Sequence, residues 1–354
     1  MLHGGLYVLL LMGLVRRSKM QLRILVTRSR VCLPKCRAGC ASFKTRWRDD
    51  ASHDEQRKVN FMSQEKAEPS NSYVIDPESA VEMARLLDQD DMLTRAMGGL
   101  LPELSDEILS TVYKVLDIGC GPGGWGLGVA RSYPDVEVFG VDISQKMIQY
   151  ALSRASGLGL SNAHFQIMNA TDPLGFPDAS FDLVNARLVS GFLLHHQWSS
   201  LAAECLRMLR PGGIVRLTEG EWGVVTVPSS AVARLFALGM DAMYRAGRSF
   251  SPDGRYHAIT AMLPTFLQEA GFDSVQIKAH VIDHSYRKEA HEGFYEDYQR
   301  LFQLGQPFIL RQGLSSQEEL DVLYEQAMAE ILSPDFRGLL YLLTAWARKS
   351  AVGE

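Results

Sequence analysis

Apolar runs of strand length alternate with segments of helical periodicity along most of this chain. A strand turns successive side chains to opposite faces and a helix repeats about every 3.6 residues, so the two patterns differ in sequence. The strand-length runs are residues 115–118, 136–141, 164–168, 181–186, 214–218, 274–282 and 338–347. Because strands separated by helices form parallel sheets, the alternation predicts an α/β fold with a doubly wound sheet.

Two long inserts interrupt the alternation near the carboxyl-terminal end. Residues 222–258 include a helical pattern over 229–245, and residues 284–333 are helical in pattern and rich in Tyr, Phe and Leu. Both inserts are long enough to form a lid over a site at the edge of the sheet. A lid excludes water and orients the bound ligand, and an aromatic lining suits a fairly apolar small molecule.

A helix is predicted ahead of the first strand. Asp76 is its expected N-cap and Pro77 its first residue, because proline fits the first helical turn. The expected apolar face consists of Val81, Met83, Ala84, Leu86 and Leu87. Tyr73, Arg85 and Gln89 can reach a cofactor from this helix, although a solvated helix face is the favoured explanation for Arg85 and Gln89.

The first strand ends in a glycine-rich turn that opens a helix, with the sequence VLDIGCGPG at residues 115–123. Gly119, Gly121 and Gly123 leave no Cβ where a ligand must approach the backbone. A nucleoside-bearing cofactor is the natural occupant of such a turn. Gly119, Gly121 and Gly124 also satisfy the G-x-G-x-x-G pattern of dinucleotide enzymes, but that pattern alone is a weak signal.

Asp117 distinguishes between the two classes of cofactor. A dinucleotide would place pyrophosphate over this turn, where a carboxylate two residues before Gly119 repels it. S-adenosylmethionine carries an ammonium and a sulfonium and no phosphate, so Asp117 attracts it directly or through water. Capping the following turn is the alternative role for Asp117. The residues therefore favour S-adenosylmethionine as the cofactor.

A second carboxylate ends the second strand. Asp142 lies 21 residues after Gly121, where a carboxylate can accept hydrogen bonds from two ribose hydroxyls. Every adenosine cofactor needs that contact, so Asp142 does not distinguish between cofactors. Its alternative role is N-cap of the next helix, which Ser144 can also fill.

In order and spacing, four segments resemble the class I S-adenosylmethionine-dependent methyltransferases, and the resemblance covers roughly residues 80–283 and the last strand. The four segments are VLDIGCGPG, VFGVD, FPDASFDLV and LRPGGIVRL. The resemblance implies a three-layer, Rossmann-like sheet of seven strands, mostly parallel with an antiparallel last strand, plus helical lid insertions. The methyltransferase domain would then span residues 72–354, with its cofactor-binding core at 112–218.

The resemblance also assigns cofactor-binding roles to individual residues. They are Asp117, Gly119, Gly121, Gly123, Asp142, Ile143, Asn169, Ala170 and Arg187. Ile143 would pack against the adenine ring, and Asn169 and Ala170 would lie at its edge. Many members of the family have an aspartate where this chain has Asn169, whose side-chain oxygen still accepts a hydrogen bond. Asp172, three residues further on, can substitute for it.

Composition and charge narrow the choice of acceptor. The 354 residues are 46% hydrophobic and 22% charged, as expected for a soluble enzyme with a large core. Residues 1–60 contain 13 Lys and Arg and 4 Asp and Glu, a net charge of +9. The whole chain has a net charge of −5, so the remaining residues carry −14. An acidic body argues against a nucleic-acid substrate, because phosphate contacts need clustered cations. We therefore expect a small-molecule acceptor.

The basic residues 1–61 are expected to form a disordered extension that derives from an upstream start codon, since globular character begins at Met62. The apolar run at residues 6–15 is too short to span a membrane, lacks preceding positive charges and has no cleavage site after it. The sequence therefore predicts neither a membrane anchor nor export.

Cysteine usage points to a reducing compartment and to no metal. Cys32, Cys36 and Cys40 miss the spacing of iron–sulfur radical enzymes by one residue. Only Cys120 and Cys205 occur in the rest of the chain, so no disulfide framework is expected. A cytoplasmic location follows as a prediction.

Methyl transfer from a sulfonium requires little from side chains beyond in-line positioning of the acceptor. A hydroxyl acceptor needs a general base, whereas an amine or carbon acceptor can react without a strong one. Glu219 and His257 are the first candidates for that base, ahead of His195, His196 and Glu221. The alternative explanations are solvated histidines and a glutamate that binds a loop.

Two other functions stay open on the sequence. A nicotinamide-dependent oxidoreductase uses a similar Rossmann-like fold, but Asp117 conflicts with its pyrophosphate. A non-catalytic, methyltransferase-like binding protein would keep the glycine turn and Asp142 and lack the transfer itself.

Overall fold

The structure is a computed structural model that describes residues 73–226 and 231–351. The predicted extension at 1–61, with its cysteines, lies outside these ranges. The strands are β1 (Lys114–Ile118), β2 (Glu137–Asp142), β3 (Ala163–Ile167), β4 (Phe181–Arg187), β5 (Leu209–Thr226), β6 (Asp273–Asp283) and β7 (Arg337–Arg348). The α-helices are α1 (Ala80–Ala96), α2 (Asp106–Leu109), α3 (Gly124–Ser132), α4 (Gln145–Gly157), α5 (Trp198–Met208), α6 (Ala231–Arg245), α7 (Ile259–Glu269), α8 (His291–Leu304), α9 (Gln306–Arg311) and α10 (Gln317–Ile331). Two 3₁₀-helices, Val189–Gly191 and His195–Gln197, precede α5.

The seven strands form one sheet in the order β3-β2-β1-β4-β5-β7-β6. The pairs β1–β2, β1–β4, β2–β3 and β4–β5 are parallel, and β7 runs antiparallel to both β5 and β6. The strand order reverses between β1 and β4, which is where ligands bind in open α/β sheets. The predicted fold class, a mostly parallel seven-stranded sheet with an antiparallel last strand, is confirmed.

Helices cover both faces of the sheet, because neighbouring residues of a buried strand point to opposite layers. Val115 and Leu183 pack with α3 and α4, whereas Leu116 and Val184 pack with α5 and α7. The strands β1 and β4 are therefore apolar on both faces, as their continuous runs predict. Polar residues inside these strands stand out against that background.

A third apolar cluster lies among α6, α8, α9 and α10, the helices of the two inserts, and it includes Leu340 and Leu342 of β7. Phe236 of α6 packs edge-on against Tyr298 and Phe302 of α8, at centroid distances of 5.3 and 5.2 Å. The helical character predicted for 284–333 is confirmed. These helices form a packed layer of their own beside the sheet.

Strand β5 is longer than the sequence predicts. The prediction ended the strand at Thr218, but β5 runs on to Thr226. Antiparallel pairing with β7 continues from Glu219 opposite Leu343 to Thr226 opposite Arg337, with a bulge between Glu221 and Val224. The partner strand lies more than 100 residues away in sequence, so its hydrogen bonds were invisible to local patterns.

The predicted start and apolar face of α1 are both wrong. The helix begins at Ala80 with Ser79 as its N-cap, whose Oγ accepts a hydrogen bond from Glu82 N at 3.3 Å. Asp76 instead stabilises the preceding turn, accepting from Glu78 N at 3.0 Å. Val81, predicted to be in the core, is 53% exposed. The buried face of α1 is polar and consists of Glu82, Arg85 and Gln89, followed by Leu93.

No helix in the described ranges, residues 73–226 and 231–351, combines the length and the apolar character needed to cross a bilayer. The same residues contain no group of three or more His, Cys, Asp or Glu arranged to hold a metal ion.

Gly140 in β2 offers a test of the packing beneath the cofactor turn. A Cβ at this position would lie 2.5 Å from Cδ1 of Phe165, whose buried ring also covers Gly123. Because Phe165 is buried and its ring would have to move to admit the methyl group, we expect Gly140→Ala to destabilise the fold by about 1–3 kcal/mol. Thermal denaturation followed by circular dichroism measures the change.

The matched control is Gly157→Ala at the end of α4, where a Cβ meets no atom within 4 Å. Alanine favours a helix over glycine, so this variant should melt at the wild-type temperature or above. Equal melting temperatures for the two variants would contradict the packing argument.

Candidate functional site

The glycine turn after β1 has the backbone conformation that its sequence predicts. Gly119, Gly121 and Gly123 have φ values of +67°, +51° and +79°, in the left-handed region that residues with a Cβ avoid. At Gly119 a Cβ would also lie 3.0 Å from the ring of Phe192. The turn therefore depends on glycine, and it leads directly into α3.

A cavity of about 140 Å³ opens above this turn, at the carboxyl ends of β1, β2 and β4. Eight predicted cofactor-binding residues line it: Asp117, Gly119, Gly121, Asp142, Ile143, Asn169, Ala170 and Arg187. The remaining one, Gly123, faces Ala151 and Phe165 and lies behind the cavity wall. We call this space the first cavity.

Asp117 is buried at the floor of the first cavity, with 5% of its surface exposed. Its Oδ1 accepts a hydrogen bond of 2.7 Å from Nδ2 of Asn185, and Asn185 Oδ1 accepts one of 2.8 Å from Nη1 of Arg216. The three residues are directly opposite one another in register on β1, β4 and β5. Burial raises the pKa of Asp117 to about 7 despite the hydrogen bond from Asn185 and the charge of Arg216.

Asn185 and Arg216 belong to the site floor but were missed in the sequence. The available signal was their polarity inside otherwise apolar, fully buried strands. Arg216 also donates from Nε to Oε2 of Glu103 at 3.0 Å, and His280 Nε2 lies 3.1 Å from Glu103 Oε1. Against the effect of burial, the hydrogen bond from His280, followed by the charge and the hydrogen bonds of Arg216, lowers the pKa of Glu103 to about 2. A compensated charge network therefore supports the floor of the cavity.

Asp142 ties the end of β2 to the glycine turn. Its Oδ2 accepts from Gly121 N and its Oδ1 from Ser144 N, both at 2.9 Å. Burial raises the pKa of Asp142 in spite of these backbone hydrogen bonds. Ser144 is the N-cap of α4, with Oγ accepting from Met147 N at 3.2 Å. A carboxylate has about four acceptor sites, so Asp142 keeps capacity for further donors such as ribose hydroxyls.

Asn169 and Arg187, the two other polar side chains of the predicted cofactor site, are anchored by neighbours. Asn169 Oδ1 accepts from the backbone N and the hydroxyl of Thr171 at 3.1 and 2.9 Å, and its Nδ2 donates to Asp172 at 2.9 Å. Arg187 forms an ion pair with Asp90 of α1. Burial, and secondarily the charge of Arg216, lower the pKa of Arg187 to about 9.

A second cavity, of about 200 Å³, adjoins the first. Tyr73, Leu86, Gln89 and Leu188 line both cavities. Most of the remaining lining comes from α6, α8, α9 and the 189–191 turn, together with Val74, Ile75, Arg85, Trp222 and His257. The predicted inserts 222–258 and 284–333 thus supply most of its wall.

Glu219, a predicted base, lies outside the linings of both cavities. Its carboxylate accepts from Val189 N at 2.7 Å, from Ser190 N at 3.1 Å and from Ser190 Oγ at 2.8 Å. Leu188, just before this turn, has a φ of +55°, a strained value for a residue with a Cβ. Glu219 therefore holds the loop that separates the cavities, which was the alternative explanation in the sequence.

His257, the other leading candidate, lines the second cavity and is buried. Its Nε2 lies 3.2 Å from the carbonyl oxygen of Arg248. A carbonyl oxygen only accepts, so Nε2 carries the hydrogen and Nδ1 carries the lone pair. Burial lowers the pKa of His257, which keeps the ring neutral at neutral pH. His257 therefore has the protonation state of a base.

The three lower-ranked candidates lie elsewhere. Glu221 accepts from the backbone N atoms of His257 and Ala258 at 3.2 and 3.1 Å, and from the hydroxyl of Thr260 at 3.0 Å. His195 and His196 are exposed and line neither cavity. The exposure of the two histidines matches the solvated alternative, and Glu221 is occupied by hydrogen bonds from residues 257–260.

The favoured explanation of Arg85 and Gln89 as a solvated helix face is wrong. Both side chains are buried between α1 and α8, where they contact Asp297. Gln89 and Tyr73 line both cavities, whereas Arg85 lines only the second. The partner of this face lies more than 200 residues away in sequence, so helical periodicity alone misassigned it.

Comparison with known proteins finds methyltransferases among the similar sequences. Residues 115–213 match the family described as methyltransferase domain. The chain is 39% identical over 107 residues to phosphoethanolamine N-methyltransferase 1 of Arabidopsis thaliana, covering 30% of this chain and 21% of that protein. It is 35% identical over 156 residues to 27-O-demethylrifamycin SV methyltransferase of Amycolatopsis mediterranei, covering 43% of this chain and 52% of that protein.

One solved structure similar to this chain is phosphoethanolamine N-methyltransferase 2 of Haemonchus contortus in complex with S-adenosyl-L-methionine. The TM-score is 0.41 at 20% sequence identity, over 69% of this chain and 52% of that one. The chain thus spans about a fifth to about a half of these relatives.

The chain contains a class I S-adenosylmethionine-dependent methyltransferase domain, as its motifs implied. S-adenosylmethionine is the cofactor that goes with this domain, so the nicotinamide alternative is discarded.

The role of Glu219 predicts a pH dependence of stability. Burial raises the pKa of Glu219 to about 7 from its usual 4.5, so the unfolded chain loses this proton first as the pH rises. The stabilisation is complete below pH 4.5 and is lost as the pH approaches 7, by up to about 3 kcal/mol. Glu219→Gln removes the titration, so the free energy of unfolding of wild type minus variant should fall across this window. Chemical denaturation at stepped pH measures it.

Glu107→Gln, at an exposed carboxyl of α2, is the control and should follow the wild-type pH profile. The prediction would be contradicted if the free energy of unfolding of wild type minus Glu219→Gln increased with pH. That result would mean that the three hydrogen-bond donors keep the carboxylate of Glu219 ionised.

Proposed function

We propose that this chain transfers the methyl group of S-adenosylmethionine to a small-molecule acceptor, with the donor in the first cavity and the acceptor in the second. The observation that carries the proposal is the adjacency of the two cavities at the carboxyl ends of β1 and β4. Four side chains line both spaces, so the two cavities share a boundary, and the acceptor atom would have to pass between these side chains to contact the methyl group of the donor. The sequence-based expectations of a domain over 72–354, a cytosolic location and an acceptor other than nucleic acid belong to the same proposal.

The chemistry of the first cavity fits this donor. Asp117 would hold the ammonium, and Arg187, the one cation among the described lining residues, suits the carboxylate of the methionine portion. Asp142 would accept from the ribose hydroxyls with its remaining acceptor sites. Ile143 would pack on the adenine, with Asn169 and Ala170 at its edge. The glycine turn lets the cofactor approach the backbone, since added Cβ atoms would crowd it.

When bound, the sulfonium supplies an activated methyl group with a neutral leaving group. The protein then has to orient the acceptor in line, exclude water and, for a hydroxyl acceptor, take up a proton. We assign proton uptake to Nδ1 of His257, because Nε2 is already committed to the carbonyl oxygen of Arg248. Glu219 acts indirectly, by holding the 188–191 loop.

The two inserts would exclude water from the second cavity. Phe236 of α6, Phe302 of α8 and Phe308 of α9 line the second cavity on the side away from the sheet. We propose that α6, α8 and α9 form the lid that the sequence predicts. A dry cavity strengthens each electrostatic contact with the acceptor.

Cofactor binding should depend on the ionisation of Asp117. Below pH 7 the free carboxyl is protonated and must ionise to pair with an ammonium, so affinity for S-adenosylhomocysteine should rise from pH 5.5 to about 7.5 and then level off. In Asp117→Asn the affinity for S-adenosylhomocysteine should be at least about tenfold lower than in the wild type, because a charge-assisted hydrogen bond is lost. The affinity of this variant should also not rise with pH. Calorimetric titration measures both effects.

5′-Methylthioadenosine, which lacks the amino-acid portion, provides the control ligand for this comparison. Its affinity should be the same for wild type and Asp117→Asn at every pH. An equal loss for both ligands would show a general defect of the cavity and would contradict ammonium binding by Asp117.

Replacing the proposed base should separate transfer from binding. His257→Asn is expected to lower the rate of methyl transfer to a hydroxyl acceptor by about 10²–10⁴-fold. Affinity for S-adenosylhomocysteine should stay unchanged, since His257 does not line the first cavity. Transfer of labelled methyl groups to small-molecule fractions identifies the acceptor, and single-turnover rates with it give the comparison.

His195→Asn changes an exposed histidine away from both cavities and should transfer at the wild-type rate. Unchanged transfer by His257→Asn would remove the histidine from the mechanism. Absence of labelled product from any fraction would favour a non-catalytic binding protein.

A further inference from the structure

The second cavity has an unusual distribution of charge. Its wall is mainly Leu, Ile, Phe and Met, and Arg85 is the one Lys or Arg among the described lining residues. No Asp or Glu is found among these lining residues either. The chemistry of Arg85 therefore decides which charge the cavity accepts.

The guanidinium of Arg85 is already paired twice. Nε and Nη2 donate to the two carboxylate oxygens of Glu82 at 2.7 and 2.8 Å, in a bidentate arrangement. Nη1 donates to Oδ1 of Asp297 at 2.8 Å. Arg85, Glu82 and Asp297 are all buried, with exposed fractions of 4%, 0% and 3%. One cation faces two carboxylates, so the group carries a net charge of about −1 when all three are ionised.

The two carboxylates are turned away from the cavity. Glu82 also accepts from the hydroxyl of Tyr73 at 2.7 Å, and Asp297 accepts from Nε2 of Gln89 at 3.2 Å. Neither Glu82 nor Asp297 lines the cavity, so a positively charged ligand finds no carboxylate to contact. While both carboxylates are ionised, an anionic ligand would meet the net negative group behind Arg85 at low dielectric, where repulsion is strong. Burial raises the pKa of Asp297 and opposes this ionised state, whereas the charge of Arg85 favours it.

We propose that the acceptor of the second cavity is an uncharged, largely apolar molecule of about the size of two fused rings, which presents a hydroxyl group. Apolar walls bind its body, and Gln89, Ser190 and His257 are the polar groups that can orient its oxygen. The charge arrangement disfavours phosphorylated and carboxylated acceptors, and an ammonium-bearing acceptor would be buried without a carboxylate to contact. This assignment rests on the proposed function in treating the second cavity as the acceptor site.

Three probes of similar shape and different charge test the assignment. They are 2-naphthol, 2-naphthyl phosphate and 2-naphthylmethylamine, titrated calorimetrically at pH 7.5 into the full chain saturated with S-adenosylhomocysteine. We expect 2-naphthol to bind at least about tenfold more tightly than either charged probe. Met240→Trp, which fills the cavity, should abolish its binding, and Val281→Trp at an exposed site of β6 should not.

The charge argument is tested by removing one carboxylate. In Asp297→Asn the group becomes neutral and Nη1 of Arg85 loses its ion-pair partner. Affinity for 2-naphthyl phosphate should rise about tenfold or more, while that for 2-naphthol changes by less than about threefold. Glu82→Gln removes the other carboxylate and provides a second, independent variant. Asp91→Asn, an exposed carboxylate of α1 paired with Arg95, is the control and should change neither affinity.

The proposal is overturned if 2-naphthyl phosphate or 2-naphthylmethylamine binds the wild type as tightly as 2-naphthol. It is also overturned if variants that still bind S-adenosylhomocysteine show no gain for the phosphate probe. These binding measurements do not depend on methyl transfer. Probe selectivity without any labelled product refutes the proposed function alone, whereas transfer to a charged acceptor refutes the present assignment alone.

Discussion

The register of β1 between β2 and β4 is the constraint on which the site depends. It places Asp117 opposite Gly140 on one side and Asn185 on the other, so the carboxylate has space beside it and a donor within reach. A slip of one residue would turn Asp117 to the opposite face of the sheet. The glycine turn begins at Gly119, directly after β1, and the pairing of β1 with β2 sets its position relative to Asp142.

The parts of the fold that the sequence predicted are those encoded by local signals. Apolar runs located every strand, because a strand buried on both faces has a continuous apolar sequence. Asp117, Asp142 and the glycines were found because each lies at a strand end, where short segments carry the whole pattern. In the structure, all residues of the predicted cofactor site except Gly123 line one cavity. Their role in binding stays a prediction.

The parts that sequence reasoning missed are those encoded by partners distant in the chain. Arg85 meets Asp297 across 212 residues, so a polar helix face that is buried was mistaken for one in water. The extra length of β5 comes from its pairing with β7. Asn185 and Arg216 are polar positions inside apolar strands, and their meaning depends on which strands lie next to each other. Helical periodicity and strand alternation contain no information about such pairings.

On the proposed function, the boundary shared by the two cavities would link donor and acceptor binding thermodynamically. Tyr73, Leu86, Gln89 and Leu188 each contact both spaces, so a ligand that immobilises them in one cavity reduces the entropy lost on filling the other. Such coupling is reciprocal, since each ligand changes the affinity of the other by the same factor. On the proposed function, cooperativity between two chemically unrelated ligands would thus depend on four side chains in one boundary.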